Sequence, residues 1–113
     1  MLVAVPLLVV GGAGCSHGSS APTCPNPTST TTVTMVDFAF VPTCVAVGKG
    51  ATVTLTNHGA VTHTFTVKGT NVSVRVISGR TQHLSLNGIA PGTYTVVCLI
   101  HPQMVGALKV GGG

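Results

Sequence analysis

The chain has 113 residues, enough for one small domain. Only 5% of its residues are charged, with Asp37 the sole acid and five cations (Lys49, Lys68, Arg75, Arg80, Lys109) giving a formal net charge of +4. The cations are scattered rather than clustered, which excludes nucleic acid as a partner and leaves solubility to the abundant Ser and Thr.

Residues 1–14 are small and apolar and end at Gly12-Ala13-Gly14-Cys15. The run is too short to span a bilayer and reads as the apolar region of a secretory signal. The small residues before Cys15 form a lipobox-like pattern, in which the cysteine is acylated and becomes the mature N-terminus. Gly12 stands where such a box usually carries Leu, and no basic segment precedes it. The expectation is an exported chain at the periplasm or cell envelope, touching the membrane only through lipid on Cys15. A plain signal peptide cut near Ala21 is the alternative. Residues 15–31 are rich in Ser, Thr, Pro and Gly and read as a flexible tether that includes His17.

From residue 32 onward the pattern has period two and no helical periodicity. Val33 and Met35 alternate, then Val36, Phe38 and Phe40 alternate in the opposite phase, which predicts a bulge or a crossing between sheets near Met35. Ala51, Val53 and Leu55 oppose Thr52, Thr54 and Thr56. His63 shares a face with Phe65 and Val67. Val72, Val74 and Val76 follow, then Leu84 and Leu86. Tyr94, Val96 and Cys98 share a face, and the last run spans 105–110. Turn signals separate these runs, among them Asn57-His58-Gly59, Asn87-Gly88 and Pro91-Gly92. Seven to eight short strands at this spacing predict an all-β sandwich over residues 32–110.

One strand pattern ends at Cys98, with His101 and Met104 following at three-residue steps, and His63 stands on another strand upstream. Two imidazoles, a thiolate and a thioether form a soft donor set that suits one copper ion, with His63, Cys98 and His101 in a plane and Met104 as a weak axial ligand. Of the remaining cysteines, Cys15 falls to lipid. Cys24 and Cys44 form an even pair in an oxidising compartment and are expected to be bonded; the alternative is a buried thiol at Cys44 and an exposed one at Cys24. His58 and His83 are expected to face solvent. Asn71-Val72-Ser73 matches a glycosylation sequon, discounted for a bacterial cell envelope.

These residues resemble the cupredoxins, the small blue copper proteins that include plastocyanin, pseudoazurin and amicyanin. The resemblance covers about residues 32–110 and rests on Asp37-Phe38-x-Phe40-x-Pro42, Thr56-Asn57, His63, Gly92-x-Tyr94 and the loop from Cys98 through His101-Pro102 to Met104. It implies a Greek-key β-sandwich with one type 1 copper held by His63, Cys98, His101 and Met104. It further implies a non-enzymatic carrier that shuttles single electrons between redox proteins docking transiently near His101, as a monomer. Val61, Pro102, Met104 and Val105 are expected to form the apolar docking patch. Leu55 stands where many relatives carry Trp, and the acidic patch of plant plastocyanins has no counterpart. Three other readings compete: a copper-delivery lipoprotein, an electron-accepting domain of a copper enzyme, and a zinc-stabilised structural domain.

Overall fold

The computed structural model describes residues 22–112; the expected signal segment, Cys15 and His17 lie outside the described residues. Ten strands follow one another: β1 (Thr28–Ser29), β2 (Thr32–Val36), β3 (Ala39–Val41), β4 (Cys44–Val47), β5 (Thr52–Asn57), β6 (His63–Val67), β7 (Ser73–Val76), β8 (Thr81–Ser85), β9 (Gly92–Val97) and β10 (Val105–Val110). They form a six-stranded sheet in the order β1-β4-β10-β9-β6-β7 and a four-stranded sheet in the order β3-β2-β5-β8. The result is an all-β sandwich, as the alternation predicts, with ten strands where seven to eight were expected and no helix among the described residues; its cupredoxin-like form is the one the resemblance implies. Both sheets are mixed, since β1 with β4, β4 with β10 and β2 with β5 pair in parallel.

The inward faces carry the β-branched and aromatic residues that the alternation selects. Val33 and Met35 of β2 and Val53 and Leu55 of β5 meet Phe65 and Val67 of β6, Val96 of β9 and Leu108 of β10 in one core. Phe40 packs edge-on against Phe65, ring centroids 5.6 Å apart at 83°, a geometry that aromatic quadrupoles favour. The outward threonines of β5 bond across to β8: Thr54 Oγ1 lies 3.2 Å from His83 Nδ1, and Thr56 Oγ1 lies 3.2 Å from Thr81 Oγ1. His83 and His58 are exposed, as expected. Gly106 of β10 sits close against the backbone that follows β3; a Cβ there would stand 2.6 Å from the Thr43 carbonyl oxygen.

Two sequence expectations are revised. The phase change after Met35 is neither a bulge nor a crossing between sheets. It is a hairpin: Met35 pairs with Phe40 and Val36 with Ala39, so Asp37 and Phe38 form a two-residue turn. Phe38 therefore leaves the strand pattern and stands 46% exposed. The folded part also begins earlier than residue 32. Cys24 is disulfide-bonded to Cys44 with Cα atoms 5.9 Å apart, and Thr28 and Ser29 pair with Val45 and Ala46. The polar composition of 22–31 hid this, because a short edge strand held by a cross-link needs no apolar side chains of its own.

Candidate metal centre

The site forms at one end of the sandwich, where three chain segments meet. His63 opens β6 and faces inward, fully buried. Cys98 follows the last residue of β9 and is 2% exposed. The loop after it folds back on itself. The Met104 amide donates to the His101 carbonyl at 2.9 Å, and the Cys98 amide donates to the Met104 carbonyl at 3.1 Å. This turn swings the half-buried His101 back over Cys98 before β10 begins.

Both imidazoles present Nδ1 to the sulfur. His101 Nδ1 lies 3.6 Å from Cys98 Sγ and His63 Nδ1 lies 3.9 Å from it. The three ligand atoms all fall within 4.8 Å of one another, the one such cluster of metal-ligating side chains among the described residues. With bonds of about 2.0 Å to nitrogen and about 2.3 Å to sulfur, as first-row ions make them, donors at the corners of a trigonal plane stand about 3.8 Å apart. The observed separations match that figure, so the residues fit one metal ion. Met104 is fully buried. It therefore belongs with the interior of the site and not, as expected from sequence, with a surface patch.

The surroundings hold these donors in place. The Thr64 amide donates to Cys98 Sγ at 3.3 Å, and the Leu99 amide donates to Thr64 Oγ1 at 2.8 Å, lacing β6 to the ligand loop. Asn57, fully buried at the end of β5, donates through Nδ2 to the carbonyls of Val61 at 2.8 Å and Val76 at 2.9 Å. Its Oδ1 accepts from the Gly59 amide at 2.8 Å, so one side chain shapes the loop that leads into His63. Tyr94 Oη donates to the Ala90 carbonyl at 2.6 Å and fixes the entry to β9, as a tyrosine corner does.

The sequence reading missed the role of Asp37. His63 Nε2 lies 2.7 Å from Asp37 Oδ1, and the Ala60 amide donates to Oδ2 at 2.8 Å. A carboxylate accepts only, so His63 carries its proton on Nε2, leaving Nδ1 bare toward Cys98. The Ala60 amide above all, helped by the His63 ring and the Val61 amide, holds the Asp37 carboxyl below its ordinary pKa; desolvation, second in size to the Ala60 bond, opposes them. Phe38, the other turn residue, sits over the two imidazoles, with its ring centroid 4.8 Å from that of His101 and 6.2 Å from that of His63. That Asp37 and Phe38 are adjacent in an aromatic-rich opening was the only sequence signal for either.

The sequence matches the model of the cupredoxin-like domain over residues 6–110. The chain belongs to the cupredoxin-like family. Comparison with curated protein sequences gives no significant match. Among solved structures, this cupredoxin is similar to the copper-containing nitrite reductase of Thermus scotoductus SA-01, with a TM-score of 0.61 and 25% identity over 85% of this chain. It spans only 24% of that reductase chain. A purple cupredoxin from Nitrosopumilus maritimus superposes with a TM-score of 0.58 at 21% identity, covering 71% of this chain and 98% of that one. A reduced, Cu(I) form of an amicyanin variant at pH 4 gives 0.59 at 24% identity, covering 71% and 80%. At those identities the last two support the fold alone. Family and donor set together give this cupredoxin one candidate copper site, built from His63, Cys98 and His101 with Met104.

Proposed function

We propose that this cupredoxin is an exported, lipid-anchored blue copper protein that carries single electrons between redox partners. The observation that carries the reading is the buried Cys98 sulfur with the Nδ1 atoms of His63 and His101 turned toward it at 3.9 and 3.6 Å. A bound copper ion would supply a one-electron Cu(II)/Cu(I) couple. The chain's part is to hold two imidazoles and one thiolate at fixed separations, with Met104 as the weak axial donor, so that little rearrangement accompanies a change of charge. The amides of Thr64 and Leu99 brace the thiolate strand and its loop. Burial of Cys98 and His63 excludes water and leaves no position for a substrate.

His101 is the half-buried edge of the site and serves as the electron port. Around it Phe38 (46%), Val61 (40%), Leu99 (66%) and Ile100 (47%) are exposed apolar side chains, and the exposed Pro102 adjoins them. They offer a small face for short-lived docking. A copper-delivery protein would need exchangeable, accessible ligands, whereas here the sulfur is buried. The similarity to one part of a nitrite reductase leaves room for an enzymatic assembly, but a single metal cluster among the described residues favours a carrier.

The test is the visible spectrum and voltammetry of the copper-loaded protein. An intense thiolate-to-Cu(II) band with a reversible one-electron wave is expected. A colourless protein, or one that takes zinc in preference and shows no wave, would sink the reading.

A further inference from the structure

The chain contains one acidic side chain in 113 residues, and the fold places it against a metal-ligating imidazole. We propose that Asp37 is a positioning residue that locks His63 in the Nε2–H tautomer, presents Nδ1 to the metal, and biases the site toward the more highly charged ion, with Gly59 keeping the space this contact needs. The inference rests on the copper reading above for its redox part only.

The geometry is specific to this pair. Asp37 occupies the turn between β2 and β3, whose ends are fixed by the Met35–Phe40 and Val36–Ala39 pairs. The facing loop is fixed by two bonds from backbone amides, that of His58 to the Met35 carbonyl at 2.8 Å and that of Gly59 to the Asn57 side-chain Oδ1. Each carboxylate oxygen has its own donor, Oδ1 from His63 at 2.7 Å and Oδ2 from the Ala60 amide at 2.8 Å. The contact therefore joins two independently anchored segments and does not depend on a free side chain finding its partner. Gly59 lies directly beneath it. A Cβ at Gly59 would collide with Asp37 Oδ1 and would stand 3.0 Å from His63 Nε2, so any other residue at 59 must push the two apart.

The chemistry follows from the arrangement. A carboxylate accepting the Nε2 proton fixes ring orientation and raises the basicity of the opposite nitrogen, the outer-shell role that typically contributes 10–100-fold to metal affinity. It also brings a negative charge close to the ion, which favours Cu(II) over Cu(I). Solvent reaches the carboxylate (26% of the side chain is exposed), so the effect belongs at the lower end of that range.

The test uses the intact chain with Asp37→Asn and, separately, Gly59→Ala, which changes no charge. In the metal-free wild type, proton–nitrogen correlation spectra should show His63 protonated on Nε2, exchanging slowly, with Nδ1 bare. Both variants should lose the slow exchange. In the copper-loaded forms both should shift the Cu(II)/Cu(I) preference by about tenfold toward Cu(I), a rise of about 59 mV for a one-electron couple. A wild-type His63 protonated on Nδ1 would overturn the proposal, as would variants that lose thermal stability yet keep the wild-type exchange and potential. If the wild type gave no thiolate–Cu(II) band, the electron-transfer reading would fall, while the imidazole spectrum would still decide the Asp37–His63 contact.

Discussion

The backbone amide of Thr64 donates to the sulfur of Cys98 at 3.3 Å across the β6–β9 edge. The residue beside one imidazole thus supports the thiolate, and the sheet itself sets the distance between two ligands. Cys98 is the only anionic donor in the cluster. Cys98→Ala should therefore abolish the blue band in the visible spectrum, while Met104→Gln should keep the colour and lower the potential, because an amide oxygen favours Cu(II) more than a thioether does. A Cys98→Ala protein that stays blue would remove the assignment.

The three side chains that converge at the candidate site were legible from sequence because their signal is local. Cys98 and His101 are three residues apart on one loop, and His63 carries the phase of Phe65 and Val67 on a plain alternating strand. The role of Asp37 was not legible, since it and His63, 26 positions apart in the sequence, are brought together by a hairpin and a parallel β2–β5 pairing that no periodicity encodes. Phe38 misled for the same reason. Its phase matches Val36 and Phe40, but a two-residue turn preserves parity, so a turn residue copied the pattern of a strand. Strand pairing across the sandwich, including the parallel β4–β10 contact, depends on long-range packing, and the copied pattern could not report it.

Asp37 also makes acid stability measurable. Its pKa in the folded chain lies below the ordinary value, near 3.9 for an unfolded aspartate. Its contribution is therefore complete above that value and is lost as pH falls through the lower folded value. Thermal unfolding of the metal-free protein should lose stability over that acid window, and Asp37→Asn should flatten the loss. Parallel curves for the two proteins would show that the contact does not contribute.

The Cys24–Cys44 bond closes a segment with a sequence separation of 20, worth about 3 kcal/mol in the chain-entropy model. Mass spectrometry after alkylation without reduction should find neither thiol modified. A Cys24→Ser, Cys44→Ser double variant should unfold at lower denaturant by about that free energy while keeping the colour, since neither cysteine belongs to the metal cluster. Alkylation at both positions would show that the bond is absent from the purified protein.

Leu99 is the most exposed apolar side chain beside the site, at 66%. Leu99→Lys should slow second-order electron exchange with a protein acceptor and leave the potential unchanged, as stopped-flow and voltammetry together would show. An unchanged rate would place docking elsewhere on the surface.

The engagement of Asp37 with His63 and Ala60 has a long-range consequence. With that single negative side chain committed to the copper end, every other formal side-chain charge, at Lys49, Lys68, Arg75, Arg80 and Lys109, is positive and exposed. The outward field therefore has one sign over most of the surface. An anionic surface would be attracted to the molecule, and dissolved salt at physiological ionic strength would screen that pull beyond about 8 Å. On the proposed reading, encounter frequency would thus become a property of the medium, while the apolar face around His101 would decide only what happens after contact.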